Sequence, residues 1–359
     1  MSLPTVTSAA RRPALVSAGL VVIVALSAFG PAALPWPAAA APAGAPVTIK
    51  LATVAPEGSP WHEVLKQMGQ DWERTSSGKV KLRLYPGGVL GDEAALVTKL
   101  RIGQLHAAAL SAVGLYRIDR GVACLGVPMM FDTYEELDRV RDKLAPRLEK
   151  AFEAQGFVVL NWGDAGWIRF FSKEPARTPD DIRRMKLFIA ADDAETLELY
   201  KALGVKPVPL AETDILASLQ TGLITAFDVP PLLALLNQWF GVAPHMLDVR
   251  WAPLVGATLI SRKAFMTLPA DVRPQLLEAG RQAGVKFRGD MRRLSEEAIP
   301  AMEKRGLKVH RPDEATLALW RKEAEGAWPR LRGSMVPADL FDEAKRLRDE
   351  ARSGKPSPP

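Results

Sequence analysis

Residues 47–85 read VTIKLATVAPEGSPWHEVLKQMGQDWERTSSGKVKLRLY, and this stretch sets the class of fold. Val47–Thr53 alternates polar and apolar side chains, as a half-buried strand does. Ser59-Pro60 follows, pairing an N-cap side chain with a proline suited to the first helical position. Trp61, Val64, Leu65, Met68 and Trp72 then recur at helical spacing, and Gly78 lies just past their end. Lys79–Tyr85 returns to alternation, with Val80, Leu82 and Leu84 on one face. Strand, helix, strand is the repeating unit of a layered α/β protein.

The same grammar continues toward the C-terminus. Asp92 caps a helix that ends near Gly103, and Ala107–Ser111 reads as a short buried strand. Thr133 and Glu136 form a capping box; the helix they open carries Leu137, Val140 and Leu144 and runs to Gly156. Phe157–Trp162, Lys186–Ala190, Ile224–Val229 and Leu254–Ser261 are further strands. Between them, Thr178-Pro179 opens a short helix, and Asp193–Leu203 and Glu212–Thr221 are helices stopped by Gly204 and Gly222. Leu232–Phe240 is apolar enough for a buried helix. A long helical region, Ala270–Arg305, is expected to kink at Pro300. Helices at about Asp313–Leu331 and Ala338–Arg352 precede a tail, Ser353–Pro359, that is expected to be disordered. The 359 residues imply two or three domain-sized cores, with no Gly/Ser linker or internal repeat to separate them.

On the N-terminal side, Arg11 and Arg12 precede an uncharged apolar run, Ala14 to Phe29, and a Pro/Ala stretch to Pro46. That order describes a secretory signal with cleavage among Ala38 to Gly44, and therefore a periplasmic mature protein. The alternative is an uncleaved anchor, because the run approaches spanning length once Leu34 and Trp36 are counted. The formal charge is +6, and losing the two leader arginines leaves +4. Such a scattered surplus gives no case for a nucleic-acid partner. Cys124 is the sole cysteine, so no internal disulfide can form; in the apolar stretch Val122–Pro128 it reads as a buried hydrophobe.

Chemistry-bearing motifs are scarce. No P-loop, G-x-S-x-G elbow or H-E-x-x-H occurs. His62, His106, His245 and His310 show no metal-ligand spacing. Asp192-Asp193 is a carboxylate pair at a helix start, where capping is the ordinary job. These observations point to a protein that is not an enzyme and needs no cofactor or metal.

Several segments, in order, resemble the receptor subunits of tripartite ATP-independent periplasmic (TRAP) transporters. Ile49–Trp72 resembles that family's opening strand and helix, and Lys79 to Glu93, KVKLRLYPGGVLGDE, its Pro-Gly-Gly and Leu-Gly-Asp-Glu segment. Arg101–Leu110 resembles an L-x-x-G-x-L-D turn and strand, with His106 at the Asp. Leu125–Phe131 resembles an LPFLF segment, Pro175 to Lys186 a P-x-x-x-P-x-D-L-K-G-x-K stretch, and Ala211 to Gly222 an A-L-Q-T-G helix end. The resemblance implies a two-lobed periplasmic binding protein fold of α/β class, with crossing strands and a long lobe-spanning helix. By that analogy, residues 47–165 plus about 254–292 form lobe 1, and 166–253 plus about 293–352 form lobe 2. It implies a small-molecule solute held in the interlobe cleft, delivery to membrane subunits, and closure by hinge motion. A sensor or carrier partner without transport is the alternative use of such a fold.

The resemblance also marks where this chain departs from the family's acid-binding pattern. Counting back from Pro175, the position of a first ligand arginine falls on Ile168, with Arg169 one place later. The principal arginine, in K-I-R-V, is replaced by Phe188 in Lys186-Leu187-Phe188-Ile189. Thr225–Pro230 stands for D-G-Q-E-N-P and puts Val229 at the asparagine. Trp167 and Ser111 complete the implied lining, and Asp228, Glu212 or Arg169 is expected to hold a polar head group. The expected ligand is accordingly apolar or amphipathic, since a buried carboxylate needs a cation or several donors.

Overall fold

The structure of the chain is a computed structural model that describes residues 45–191 and 193–353. The leader, Asp192 and residues 354–359 of the tail lie outside the described residues, so the readings made on them stand as expectations.

Among the described residues, eleven strands form two sheets. The first sheet contains β1 (Val47–Ala52), β2 (Val80–Tyr85), β3 (Ala107–Ser111), β4 (Phe157–Trp167) and β10 (Pro253–Ser261), in the order β2-β1-β3-β10-β4. The second contains β5 (Arg169–Ser172), β6 (Lys186–Ala190), β7 (Lys206–Leu210), β8 (Ala226–Val229), β9 (His245–Leu247) and β11 (Lys308–His310), in the order β11-β9-β5-β8-β6-β7. β1 runs parallel to β2 and β3, whereas β10 is antiparallel to β3 and β4. In the second sheet β6 runs parallel to β7 and β8, and β5 is antiparallel to β8 and β9. The chain is thus a mixed α/β protein, as the alternation of strand and helix patterns implies, with the two lobes that the resemblance implies.

The opening unit forms for the reasons legible in its residues. Ser59 Oγ accepts the His62 N–H at the start of the helix Pro60–Thr75, whose Leu65, Met68 and Trp72 are buried against the first sheet. Asp92 caps the helix Glu93–Arg101 by accepting from Ala95 N–H at 2.8 Å. Thr133 caps the helix Tyr134–Ala154, but Glu136 reaches the Asp132 N–H instead of closing the box on Thr133. The stretch 232–240 breaks into a helix, Pro231–Leu236, and a 3-10 turn, Trp239–Gly241. The long helix Arg273–Glu303 continues across Pro300, three residues before its end, where the missing proline N–H leaves the carbonyl four residues earlier without its helical donor. Cys124 is fully buried, and desolvation pushes its thiol up to about 12.

Among the described residues, the β4–β5 and β9–β10 segments and one long helix pass between the two sheets. β4 passes directly into β5 with Ile168 alone between them. β9 returns to β10 alongside, and the two passages are bonded to each other: Ile168 N–H donates to Ala252 at 2.8 Å, and Trp251 N–H donates to Ile168 at 3.1 Å. The helix Arg273–Glu303 packs against β4 and the helix Pro60–Thr75 of one lobe and against the helix Pro231–Leu236 of the other. Its Arg292 bonds Asp164 of β4 and Asp138 of the helix Tyr134–Ala154, both at 2.7 Å, and lies 4.2 Å from the centre of the Tyr134 ring. Burial opposes the Arg292 charge, but those carboxylates outweigh it and hold its pKa above the ordinary value.

Candidate functional site

The apolar face of the second sheet is built by strand alternation. Phe188 of β6 and Val229 of β8, each 7% exposed, lie in one cluster with Phe171 and Phe227. Phe171 and Phe227 are register partners across β5 and β8, with rings 5.1 Å apart and 2° from parallel. Trp61, at the start of the first lobe's opening helix, belongs to the same cluster and is 9% exposed. Ala55 of the first lobe and Ala190, Val208 and Leu210 of the second pack at its margin. The cluster therefore runs continuously from one lobe to the other and contains both Phe188 and Val229.

The neighbouring sequence-derived residues fall elsewhere. Ile168 is the crossover residue and packs on the opposite cluster, with Phe170 and Trp251. Arg169 is the register partner of Val229, so it, not Ile168, stands beside the apolar face. The Arg169 side chain is 1% exposed, and its guanidinium is engaged by Asp248 at 2.7 Å, Glu296 at 3.4 Å and the Trp167 carbonyl at 3.3 Å. Trp167 is buried in the core of the crossover, stacked on Tyr134 at 5.1 Å. Asp228 points to the other side of β8 from Val229 and accepts a hydrogen bond from Tyr200 Oη; desolvation pushes its carboxyl up to about 7. The structure thus brings Phe188, Val229 and Arg169 to one face and places Ile168, Trp167 and Asp228 outside it.

A polar corner is formed on the first lobe by a residue that spacing alone did not single out. Glu93, at the first position of its helix, is 7% exposed. Its carboxylate accepts from Ser111 N–H at 2.7 Å, Ser111 Oγ at 2.9 Å and Gly114 N–H at 2.7 Å. Among the described residues no Lys or Arg forms an ion pair with it. Burial raises its carboxyl to about 7 against those hydrogen bonds, and the charge of Glu212 raises it further. Glu212 is an exposed residue of the 3-10 turn Glu212–Asp214 in the second lobe, just after β7. Ser111 caps the short helix Ala112–Tyr116 and Gly114 lies in its first turn, so the Glu93 carboxylate closes that helix's N-terminus within the first lobe. The only sequence signal for Glu93 is its place in the Leu-Gly-Asp-Glu segment; its partners lie 18 and 21 residues away.

Among the described residues no group of three or more His, Cys, Asp or Glu is arranged to hold a metal ion. A groove of about 910 Å³ lies apart from the cleft, lined by Thr178, Leu199, Leu203, Leu319, Lys322 and Arg330 among others. Phe188, Val229, Arg169, Glu93 and Ser111 are not among the residues that line it.

The profile of bacterial extracellular solute-binding protein family 7 (DctP) matches residues 51–333. The C4-dicarboxylate-binding periplasmic protein DctP of Rhodobacter capsulatus is 25% identical over 264 residues, which cover 73% of this chain and 79% of that protein. An uncharacterized protein, YiiZ, of Salmonella typhimurium is 27% identical over 180 residues, 49% of this chain and 55% of its own. The sugar acid binding protein DctPAm of Advenella mimigardefordensis, solved with galactonate, superposes with a TM-score of 0.80 at 19% identity, covering 85% of this chain and 99% of that one. The chain belongs to family 7 of the bacterial extracellular solute-binding proteins, and its role is that of a TRAP-type solute receptor.

Proposed function

We propose that this family 7 receptor closes its lobes around a solute with a large apolar body, and that small dicarboxylates and sugar acids are poor ligands for it. The observation that carries the reading is Phe188, which stands in an apolar cluster where the resemblance puts the principal carboxylate-binding arginine. No arginine occurs between Arg184 and Arg250 to replace it. Arg169 is the nearest guanidinium in register, and Asp248 and Glu296 already engage it. Desolvating a carboxylate without a paired cation costs several kcal/mol or more, of order 2–7 kcal/mol even for a neutral polar group. Each apolar side chain buried against a ligand instead contributes about 1.5–3 kcal/mol. The acids in the names of the R. capsulatus and A. mimigardefordensis proteins belong to those proteins.

On this reading the protein performs no chemistry of its own. It acts in the periplasm after export on its leader and hands the solute to membrane subunits. The test is a thermal-shift comparison of succinate and galactonate with aromatic, fatty and isoprenoid compounds. Stabilisation confined to the apolar panel is expected; stabilisation confined to succinate or galactonate would overturn the ligand assignment while leaving the receptor role intact.

A further inference from the structure

We propose that the groove between the helices Ala194–Ala202 and Glu314–Leu331 is a second binding site, taking a free single-chain anionic amphiphile such as a medium-chain fatty acid; it is separate from the cleft and does not depend on what the cleft binds. Its volume of about 910 Å³ lies within the range of about 300–1,000 Å³ found for small-molecule sites. One wall is a single face of the helix Glu314–Leu331, on which Leu319, Lys322, Gly326 and Arg330 recur at helical spacing. Glycine weakens a helix interior, yet a Cβ at Gly326 would meet nothing within 4 Å. The bare backbone there leaves open space in front of the wall. Ala194 and Ala202, on the helix opposite, are likewise small.

The groove offers apolar surface and unmatched positive charge together. Leu199 and Leu331 line it at 7% and 4% exposure, whereas Leu319 is 51% exposed. An acyl chain laid along it would take that leucine out of water. The carboxylates of the lining are already matched, Asp180 and Glu323 by Arg183 and Glu198 by Lys201 at 2.8 Å. Two cations are not. Among the described residues Lys322 forms no ion pair, and the Arg330 guanidinium bonds only the Ala202 carbonyl, at 3.0 Å. Two such cations beside an apolar surface select an anionic head group and repel a cationic one. Leu199 and Leu331 are recessed, so a chain must enter singly, which favours a free molecule over the surface of a bilayer.

Cys124 is buried, so Leu319→Cys places a single accessible thiol in the groove and gives a local test. Alkylation of that thiol by the neutral reagent iodoacetamide is followed with decanoate, decyltrimethylammonium, acetate or phosphatidylglycerol vesicles present. Near-saturating monomeric decanoate should slow it about tenfold, and the other three should leave it within about twofold. Adding Lys322→Glu and Arg330→Glu, both at exposed positions, should abolish the protection by decanoate. Gly326→Trp, whose ring would enter the open space, should do the same. Circular dichroism of each variant separates lost protection from a lost fold. Absence of protection by decanoate would overturn the site. Equal protection by decyltrimethylammonium would overturn its preference for anions, by acetate its need for a chain, and by vesicles the assignment to a free molecule. Because the thiol reports on the groove alone, each of these failures leaves the apolar-cleft reading standing.

Discussion

Arg169 stands directly opposite Val229 in the register of β5 and β8, and its guanidinium is held by Asp248 at 2.7 Å. The pairing ties β5 to the segment that follows β9, so a charge beside the apolar face is directed into the scaffold and away from a ligand. Arg169→Met should cost about 2 kcal/mol of stability, as charge-assisted hydrogen bonds are lost while the partly exposed Asp248 and Glu296 regain water. Urea unfolding measures this, and affinity for an apolar ligand should change by less than about threefold. Loss of that affinity with unchanged stability would show that Arg169 faces the solute.

Arg292 presents the opposite case, because its partner Asp164 is almost inaccessible. Arg292→Met leaves a buried carboxylate on β4 without its cation, and about 3–5 kcal/mol of stability should disappear. The same variant should alter the balance between open and closed lobes, since the pairs join the lobe-spanning helix to the first lobe. A fall below 1 kcal/mol in chemical unfolding would show that Asp164 finds another partner.

Glu93 gives a pH dependence whose sign follows from its raised pKa. The folded form binds its proton up to about 7, whereas the unfolded form releases it near 4.5. Stability contributed by the protonated carboxyl is present below 4.5 and is lost as pH rises through 7. The stability difference between wild type and Glu93→Gln should therefore decline by about 3 kcal/mol between pH 4.5 and 8. A difference that is flat with pH would mean that Glu93 is ionised throughout.

Gly166 lies at the end of β4 with φ of +99°, just before the crossover. A Cβ there would sit 2.9 Å from Ser295 Oγ on the long helix and 3.4 Å from Tyr134 Oη. Gly166→Ala should cost about 2 kcal/mol through backbone strain and contact together. A lowered melting temperature with an otherwise native circular dichroism spectrum is expected, and an unchanged one would exclude a strained crossover.

Much of the fold was legible because its signals are local. Ser59, Asp92, Thr133 and Asp313 all cap the helices that they were expected to open. What was missed depends on neighbours distant in sequence. β7 carries Pro207 and Pro209, which argue against a strand until its place at the sheet edge makes them tolerable. β9 and β11 are three residues each, too short for a period to show. The site was less legible than the fold. One step of strand alternation decides whether Ile168 or Arg169 shares a face with Val229, and only the register with β8 fixes it. Asp228 was expected, with Glu212 and Arg169, among the polar groups able to hold a head group; alternation turns it toward Tyr200. Glu93 was visible only as the end of a Leu-Gly-Asp-Glu segment, and its burial follows from Ser111 and Gly114, 18 and 21 residues away, folding over it.

The central claim, that Phe188 replaces acid recognition with apolar recognition, is tested most directly by calorimetry on wild type and Phe188→Arg with galactonate, succinate and an octyl compound. The account predicts that wild type binds the octyl compound and neither acid, and that Phe188→Arg gains measurable affinity for at least one acid while losing tenfold or more for the octyl compound. Tight binding of succinate or galactonate by wild type, undiminished in Phe188→Ala, would contradict it.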